Sequence, residues 1–150
     1  MPPSTTLLNR RELAAWRGML RVHAEITREL DADLLAEHGI SLSSYEVLLF
    51  LADAPDGQLR MSELADGVLL SRSGATRLVD RLVRDGLVRR ERCEDDARGL
   101  NALITPAGRQ LFTRARATHL AGVRRLYLSR FEDAELDQLG DLMARPLTDA

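Results

Sequence analysis

The most constraining feature of this sequence is a change of hydrophobic period near its middle. From Arg10 to Glu37, apolar residues recur at about every 3.5 positions, which predicts one long amphipathic helix. From Leu87 to Thr105 the pattern becomes extended on both sides of a polar tip at 94–99, which predicts a β-hairpin. Helical periods return after the hairpin. The chain is therefore predicted to be mainly α, with one small β-hairpin.

The segment between the long helix and the hairpin carries start and stop signals for three shorter helices. Ser43-Ser-Tyr-Glu46 has the spacing of a capping box and predicts the start of the second helix. Ser62 is predicted to cap the third helix, and Ser71 to cap a fourth that ends at Arg84. The short Leu69-Leu70-Ser71 turn joins these two helices. Two helices connected in this way and followed by a hairpin predict a winged helix-turn-helix.

Two further helices are predicted after the hairpin. Thr105-Pro106 supplies an N-cap and a proline at the first helical position, and this helix is predicted to reach about Arg130. Its roughly 25 residues would span about 37 Å at a rise of about 1.5 Å per residue. The last helix is predicted from Asp133 to Arg145, with a stop at Pro146. Because the longer helix exceeds what one small core covers, a second chain is its expected partner.

Composition limits the class of protein. The 150 residues are 45% hydrophobic, which is enough for one domain with a real core. Neither a basic leader nor a long apolar run is found, so the expected location is the cytoplasm. A single cysteine, Cys93, cannot form an intrachain disulfide, which fits a reducing compartment.

The distribution of charge indicates a local cationic surface. The net charge is −2, so any surface for nucleic acid must be confined to one region. From Arg72 to Arg92, seven arginines stand against three acidic residues. On a helical wheel, the fourth helix carries its apolar residues on one face and arginine, serine and threonine, which reach base edges and phosphates, on the other. The predicted DNA contacts there are Ser71, Arg72, Ser73, Thr76, Arg77, Arg81 and Arg84; an ordinary solvated face is the alternative.

One acidic residue interrupts this polar face. An unpaired carboxylate at Asp80 would repel phosphate, so we expect it to pair with Arg84 at i+4 or Arg77 at i−3. Its predicted role is to orient an arginine.

The hairpin supplies further cationic candidates. Arg89 and Arg90 are predicted to contact phosphates. Arg98 stands at the tip and is suited to an adjacent minor groove, where negative potential is concentrated. Asp96 is predicted to hold Arg98 in place; the alternative is an acidic loop residue without a partner.

These residues resemble the MarR family of winged-helix regulators. The resemblance covers essentially the whole chain and is carried by five segments in the family's order. They are Met61-Ser-Glu-Leu-Ala65, 71–82 (SRSGATRLVDRL), Asp85-Gly-Leu-Val-Arg-Arg90, Asp95-Asp-Ala-Arg98 and Ile104-Thr-Pro-Ala-Gly108.

The resemblance implies a dimeric DNA-binding transcriptional regulator, most commonly a repressor, on a pseudo-palindromic operator. Residues 10–37 and 106–147 would be dimerisation helices flanking a winged helix-turn-helix DNA-binding lobe at 43–105. Residues 71–77 would enter the major groove. Arg98, steadied by Asp96, would enter the minor groove.

The resemblance also implies a response to small aromatic ligands bound between the dimerisation helices and the DNA-binding lobe. Trp16, His23, Tyr45 and Phe50 are candidates to line such a cleft. Ordinary core packing is the alternative for all of them.

Other functions are weighed against this one. No catalytic motif occurs, so no enzyme activity and no cofactor are predicted. His23, His38 and His119 show no metal-ligand spacing, so no metal site is predicted. Two alternatives stay open: a winged-helix module that binds protein instead of DNA, and a redox-responsive regulator that uses Cys93 as an exposed thiol.

Overall fold

The computed structural model describes residues 6–68, 70–95 and 98–148. The helices and strands follow the predicted order, with one additional strand before the third helix. They are α1 (Arg10–His38), α2 (Leu42–Asp53), β1 (Gln58–Arg60), α3 (Met61–Gly67), α4 (Arg72–Arg84), β2 (Val88–Arg92), β3 (Leu100–Ile104), α5 (Pro106–Leu126) and α6 (Asp133–Ala144). Short 3₁₀ turns lie at Pro55–Gly57, Leu128–Arg130 and Arg145–Leu147.

Local signals fix both ends of α1. The Asn9 side chain accepts a hydrogen bond from the Glu12 amide at 2.9 Å, and the Glu12 carboxylate accepts one from the Asn9 amide at 2.8 Å. This is a reciprocal capping box. At the other end, Gly39 adopts a left-handed conformation with φ of 69°, and its amide donates to the Leu35 carbonyl oxygen.

Two predicted helix starts are wrong. The N-cap of α2 is Ser41, whose hydroxyl accepts from the Ser44 amide at 3.0 Å, so Ser43 already lies in the first turn. Helix α3 begins at Met61 with Arg60 as its N-cap residue, so the expected cap Ser62 already lies inside the helix. Strand β1 leads directly into α3, so the residue before the helix is extended. No side chain of the described residues caps the N-terminus of α3.

The strands form one antiparallel sheet in the order β1-β3-β2. The predicted hairpin of β2 and β3 is present, with Val88 opposite Ile104 and Arg92 opposite Leu100. On its other edge β3 pairs with β1, which places Arg60 opposite Asn101. The wing is thus joined through β3 to the segment that leads into α3.

The core lies between α2, α4, the sheet and the first half of α5. The side chains of Leu48, Leu51, Leu64 and Val79 are fully buried there. In α1 only Leu30 and Leu34 are buried, and no described residue of α6 is buried. Most of α1 and all of α6 therefore lie outside this core.

Helix α5 is shorter than predicted. It has 21 residues and ends at Leu126, because Tyr127 leaves helical geometry with φ of −128° and ψ of −65°. Its second half packs along α1, where a Cβ on Gly122 would lie 2.7 Å from Leu30 Cδ2. Arg125 also donates to the Asp33 carboxylate at 2.8 Å.

The first turn of α5 is held tightly against the loop between α4 and β2. The Thr105 hydroxyl donates to the Gly86 carbonyl oxygen at 2.7 Å and accepts from the Gly108 amide at 3.0 Å. A Cβ on Gly108 would overlap the carbonyl oxygen of Leu87. Only glycine allows this approach.

Across the described ranges, no single helix is long and apolar enough to cross a membrane, although α1 and α2, bent by 81°, pass the length and composition criteria as a pair.

Candidate nucleic-acid interface

Helix α4 presents the predicted cationic face. The Ser71 hydroxyl caps the helix by accepting from the Gly74 amide at 3.0 Å. One side of the helix is buried in the core, and its members are Ala75, Leu78, Val79 and Leu82. The opposite side is solvent-exposed and contains Ser71, Arg72, Ser73, Thr76, Arg77, Arg81 and Arg84. The predicted two-faced character of this helix is confirmed.

Asp80 forms its ion pair with a residue of the wing and not with a neighbour on its own helix. Its carboxylate lies 2.6 Å from the guanidinium of Arg90, on β2. Arg90 also donates to the Thr76 carbonyl oxygen at 3.1 Å. Among the described residues Asp80 makes no ion pair with Arg77 or Arg84, so the prediction of an i−3 or i+4 partner is wrong. The physical reason is that β2 packs beside α4 and brings a third cation within reach.

The two neighbouring wing arginines therefore have different environments. The Arg90 side chain is 24% exposed and bonded to α4. The Arg89 side chain is 62% exposed and pairs with Glu91 at 2.8 Å on the same strand. Arg89 faces solvent, whereas Arg90 connects the wing to α4.

A cleft separates the start of α3 from α4 and the wing. It has a volume of about 360 Å³ and contains Arg98, the predicted minor-groove residue. Its lining consists of Arg60, Met61, Ser62, Arg72, Thr76, Arg98, Gly99 and Leu100. Asp96, the predicted partner of Arg98, and Leu69, in the turn before α4, lie outside the described residues.

Arg60 is a candidate that sequence reasoning missed. It ends the three-residue strand β1, which is too short to show an alternating pattern. Only the pairing of β1 with β3 brings this residue beside the wing.

The four candidate ligand-cleft residues occupy separate environments. Trp16 is 54% exposed on α1, and His23 lies further along the same helix. Phe50 is 37% exposed and covers Gly67. Tyr45 is buried, with its ring 5.6 Å from Phe112 and 4.5 Å from His119. Of the four, only His23 lines the apolar groove between α1 and α6.

His119 is the polar member of the aromatic cluster around Tyr45. Its Nδ1 atom is buried and has no hydrogen-bond partner among the described residues. Burial lowers the pKa of His119 because it disfavours the charged imidazolium. Burial likewise raises the pKa of the Tyr45 hydroxyl. Burial thus favours the neutral form of both groups.

Cys93 is not the exposed thiol that was predicted. Its side chain is 8% exposed, and Sγ donates to Asn101 Oδ1 at 3.1 Å. Residue 93 follows β2 and faces the neighbouring strand, so oxidants have little access to it. In the described parts of the chain, no group of three His, Cys, Asp or Glu side chains has the geometry to hold a metal ion.

An apolar groove lies at the opposite end of the molecule. Its volume is about 450 Å³, and α1, α6 and the segment between α5 and α6 form its walls. It is lined by Ala15, Gly18, Met19, Val22, His23, Tyr127, Phe131, Leu139 and Met143.

Known proteins resemble this chain in sequence and in structure. Residues 38–99 match the sequence profile of the MarR family. The HTH-type transcriptional repressor YetL of Bacillus subtilis is 30% identical over 113 residues, which are 73% of this chain and 68% of that protein.

Two solved structures from Streptomyces coelicolor extend the likeness to nearly the full chain. AbsC, a MarR family transcriptional regulator, is 33% identical with a TM-score of 0.89, and the match covers 97% of each chain. Sco3205, a MarR family transcriptional regulator solved in complex with DNA, is 30% identical with a TM-score of 0.91. That match covers 97% of this chain and 91% of the other.

Proposed function

The chain belongs to the MarR family of DNA-binding transcriptional regulators, and from this premise we propose that it binds a pseudo-palindromic operator as a ligand-responsive homodimer and represses transcription. The observation that carries the proposal is the exposed cationic face of α4 beside an arginine-bearing wing. We place this activity in the cytoplasm, where a regulator reaches DNA.

We propose that α4 enters the major groove. Its capped N-terminus carries exposed arginine, serine and threonine side chains, the residue types that reach base edges and phosphates. We assign Ser71, Arg72, Ser73, Thr76 and Arg77 to this groove. We assign Arg81 and Arg84, further along the same face, to phosphates.

The wing arginines divide the remaining contacts. We assign Arg98 to the adjacent minor groove, with Asp96 as its support. Arg89 is exposed and suits a phosphate contact. Arg90 is tied to Asp80 and to the Thr76 carbonyl, and we assign it to holding the wing in a fixed orientation relative to α4.

The homodimer is supported by apolar surface that one protomer leaves open. Large hydrophobic side chains on α1 and α6 are about half exposed, among them Trp16 at 54%, Leu20 at 47% and Met143 at 47%. Met143 lines the groove between α1 and α6, and Trp16 and Leu20 follow its lining residues Ala15 and Met19 in the sequence. Exposed apolar surface of this extent marks an interaction site. In a two-fold dimer the same surface of α1 and α6 would come from both chains and be buried by its own copy.

The ligand response is supported by the cluster of Tyr45, Phe112 and His119, where α2 meets α5. Because the rings pack against one another, a small aromatic ligand would have to displace one of them to reach the buried Nδ1 of His119. Because α5 also leads to the wing, ligand binding would change the separation of the two recognition helices.

The test is fluorescence anisotropy of the purified protein on duplexes from the region upstream of its own gene, with non-specific competitor present. We expect nanomolar binding with two chains per duplex. Arg77→Ala and Arg98→Ala should each weaken binding by about 1–3 kcal/mol, the usual value of one arginine contact to a base edge. Arg28→Ala is the matched control, because it removes an arginine 74% exposed on α1.

Two results would contradict the assignment. Normal binding by both Arg77→Ala and Arg98→Ala would place the DNA surface elsewhere. Weak binding that ignores sequence would favour a winged-helix module for a protein partner, and a pull-down would then follow. The redox alternative loses support from the burial of Cys93.

A further inference from the structure

We propose that the cleft between α3, α4 and the wing is a seat for one segment of DNA sugar–phosphate backbone, and that Arg60 is its principal phosphate-binding residue. The proposal rests on the DNA-binding function and adds a contact from outside the helix-turn-helix and the wing tip. It concerns the lining described above, at the junction between the surface of α4 and the wing.

The first argument is charge. Three arginines, Arg60, Arg72 and Arg98, come from three separate elements and line the same cleft. None of the described residues in that lining is acidic. Within the described ranges, Arg60 and Arg72 form no ion pair with an acidic side chain. Like charges placed this close together favour an anionic occupant.

The second argument is the apolar floor. Met61 and Leu100 line the cleft together with the arginines, and Leu100 is 43% exposed although it belongs to a strand. A free inorganic anion has no apolar surface that could pack against these two side chains. A DNA backbone has such a surface, because its deoxyriboses present apolar faces between successive phosphates. The combination of cationic and apolar side chains in one cleft therefore matches a nucleic-acid strand.

The third argument is position. Thr76 and Arg72 lie on the exposed face of α4, and Arg98 belongs to the wing. A strand that passes from the groove filled by α4 to the groove reached by the wing has to cross the space between them. Arg60 lines this space at the end of β1, where the pairing of β1 with β3 holds it.

The adjoining space supports the same course for the strand. It shares Met61, Thr76, Arg98 and Leu100 with the cleft and ends at the pair of Asp80 and Arg90. Among the described residues of its lining, the only carboxylate is the one neutralised by Arg90 at 2.6 Å. The Asp80–Arg90 pair thus removes the negative charge that would repel the backbone.

The test compares Arg60→Gln with Arg77→Ala on the operator duplex and on a duplex of unrelated sequence, at several salt concentrations. A phosphate contact acts on both duplexes equally, whereas a base contact acts on the operator alone. We expect Arg60→Gln to weaken both complexes by roughly tenfold or more. The slope of log K against log salt should fall by about 0.9 for each half-site.

A second measurement identifies the phosphate. Neutral methylphosphonates are placed one at a time along each strand of the operator. We expect one position per half-site at which the substitution weakens binding by the wild-type protein but not by Arg60→Gln. Arg60→Lys should retain most of the salt slope, because it keeps the charge and loses only the bidentate geometry.

The outcomes separate this inference from the proposed function. Loss of operator binding in Arg77→Ala together with wild-type affinity and salt slope in Arg60→Gln would overturn the backbone seat and leave the regulator intact. Wild-type binding in both variants would overturn the whole DNA surface. Strictly additive losses at every methylphosphonate position would also reject the contact.

Discussion

The DNA-binding lobe differs from α1 and α6 in how its hydrophobic residues are placed: the lobe buries them, whereas most of those on α1 and α6 are exposed or half-buried. Every buried hydrophobic residue in the described ranges lies between Leu30 and Ala115. Of the fifteen large hydrophobics that are exposed in those ranges, eleven lie outside that interval. The lobe therefore contains a complete core, whereas most of α1 and all of α6 leave apolar surface exposed. The same kind of residue stabilises the single chain in one region and would form the interface of the proposed homodimer in the other.

The largest effect should separate the two regions by stability. Leu48→Ala removes a fully buried side chain from the lobe and should lower the free energy of unfolding by about 2–5 kcal/mol. Leu142→Ala, at a position 45% exposed on α6, should cost far less at protein concentrations where the chain is monomeric. Urea denaturation at low concentration measures both. Equal losses would mean that α6 belongs to the core of one protomer.

The next effect concerns association. Leu20→Glu places a charge in the apolar surface of α1 and should raise the dimer dissociation constant by on the order of 100-fold, because the carboxylate would be buried without a partner. Sedimentation velocity reads the change, and circular dichroism checks the fold. Val83→Glu is the matched control, since Val83 is 37% exposed in the lobe. A dimer unaffected by Leu20→Glu would place the interface elsewhere.

A smaller effect distinguishes the two wing arginines. Arg89→Gln should lower the salt slope of DNA binding by about 0.9 for each half-site, because it removes an exposed cation. The double variant Asp80→Asn/Arg90→Gln removes both charges of the pair and should weaken binding by roughly threefold to tenfold at an unchanged slope, since it frees the wing and removes no phosphate contact; the coupling of a partly exposed pair is about 1 kcal/mol. A reduced slope in this double variant would make Arg90 a phosphate ligand.

The smallest effect lies at the border between the two regions. Because burial lowers the pKa of His119 in the folded protein, the unfolded chain binds a proton more readily. The neutral His119 side chain therefore contributes fully to the free energy of unfolding above the ordinary histidine pKa, near 6.5. That contribution is lost as the pH falls towards the lowered pKa, because protonation then favours the unfolded chain. His119→Gln should flatten the pH dependence of the melting temperature in that window. An unchanged profile would show that His119 titrates as an exposed group does.

The sequence predicted best those elements whose signals are local. The N-cap Ser71 and the apolar spacing from Ala75 to Leu82 determine α4 from residues inside the helix or next to it, and the structure confirms both the helix and its buried face. Thr105-Pro106 determines the start of α5 in the same way. These signals act between residues three or four apart, so they can be seen before any tertiary contact forms.

What the sequence concealed depends on contacts between distant residues. Strand β1 exists because β3 pairs with it, and three residues give no period to detect. The partner of Asp80 is ten positions away, whereas helical spacing suggested neighbours at three and four. Ser41 and Ser43 are equally good caps by residue type. The Leu42 amide, which donates to the Asp31 carboxylate at 2.8 Å, favours the earlier start.

The glycine in the first turn of α5 has a mechanical consequence. Gly108 lies against the Leu87 carbonyl without room for a methyl group. Helix α5 is therefore in direct contact with the residue that precedes β2. The 21 residues of α5 make a lever about 31 Å long at a rise of about 1.5 Å per residue. A shift of about 3 Å at its far end turns the lever by about 5°. Because Gly108 packs directly against Leu87, we expect such a rotation of α5 to be passed on to the start of the hairpin.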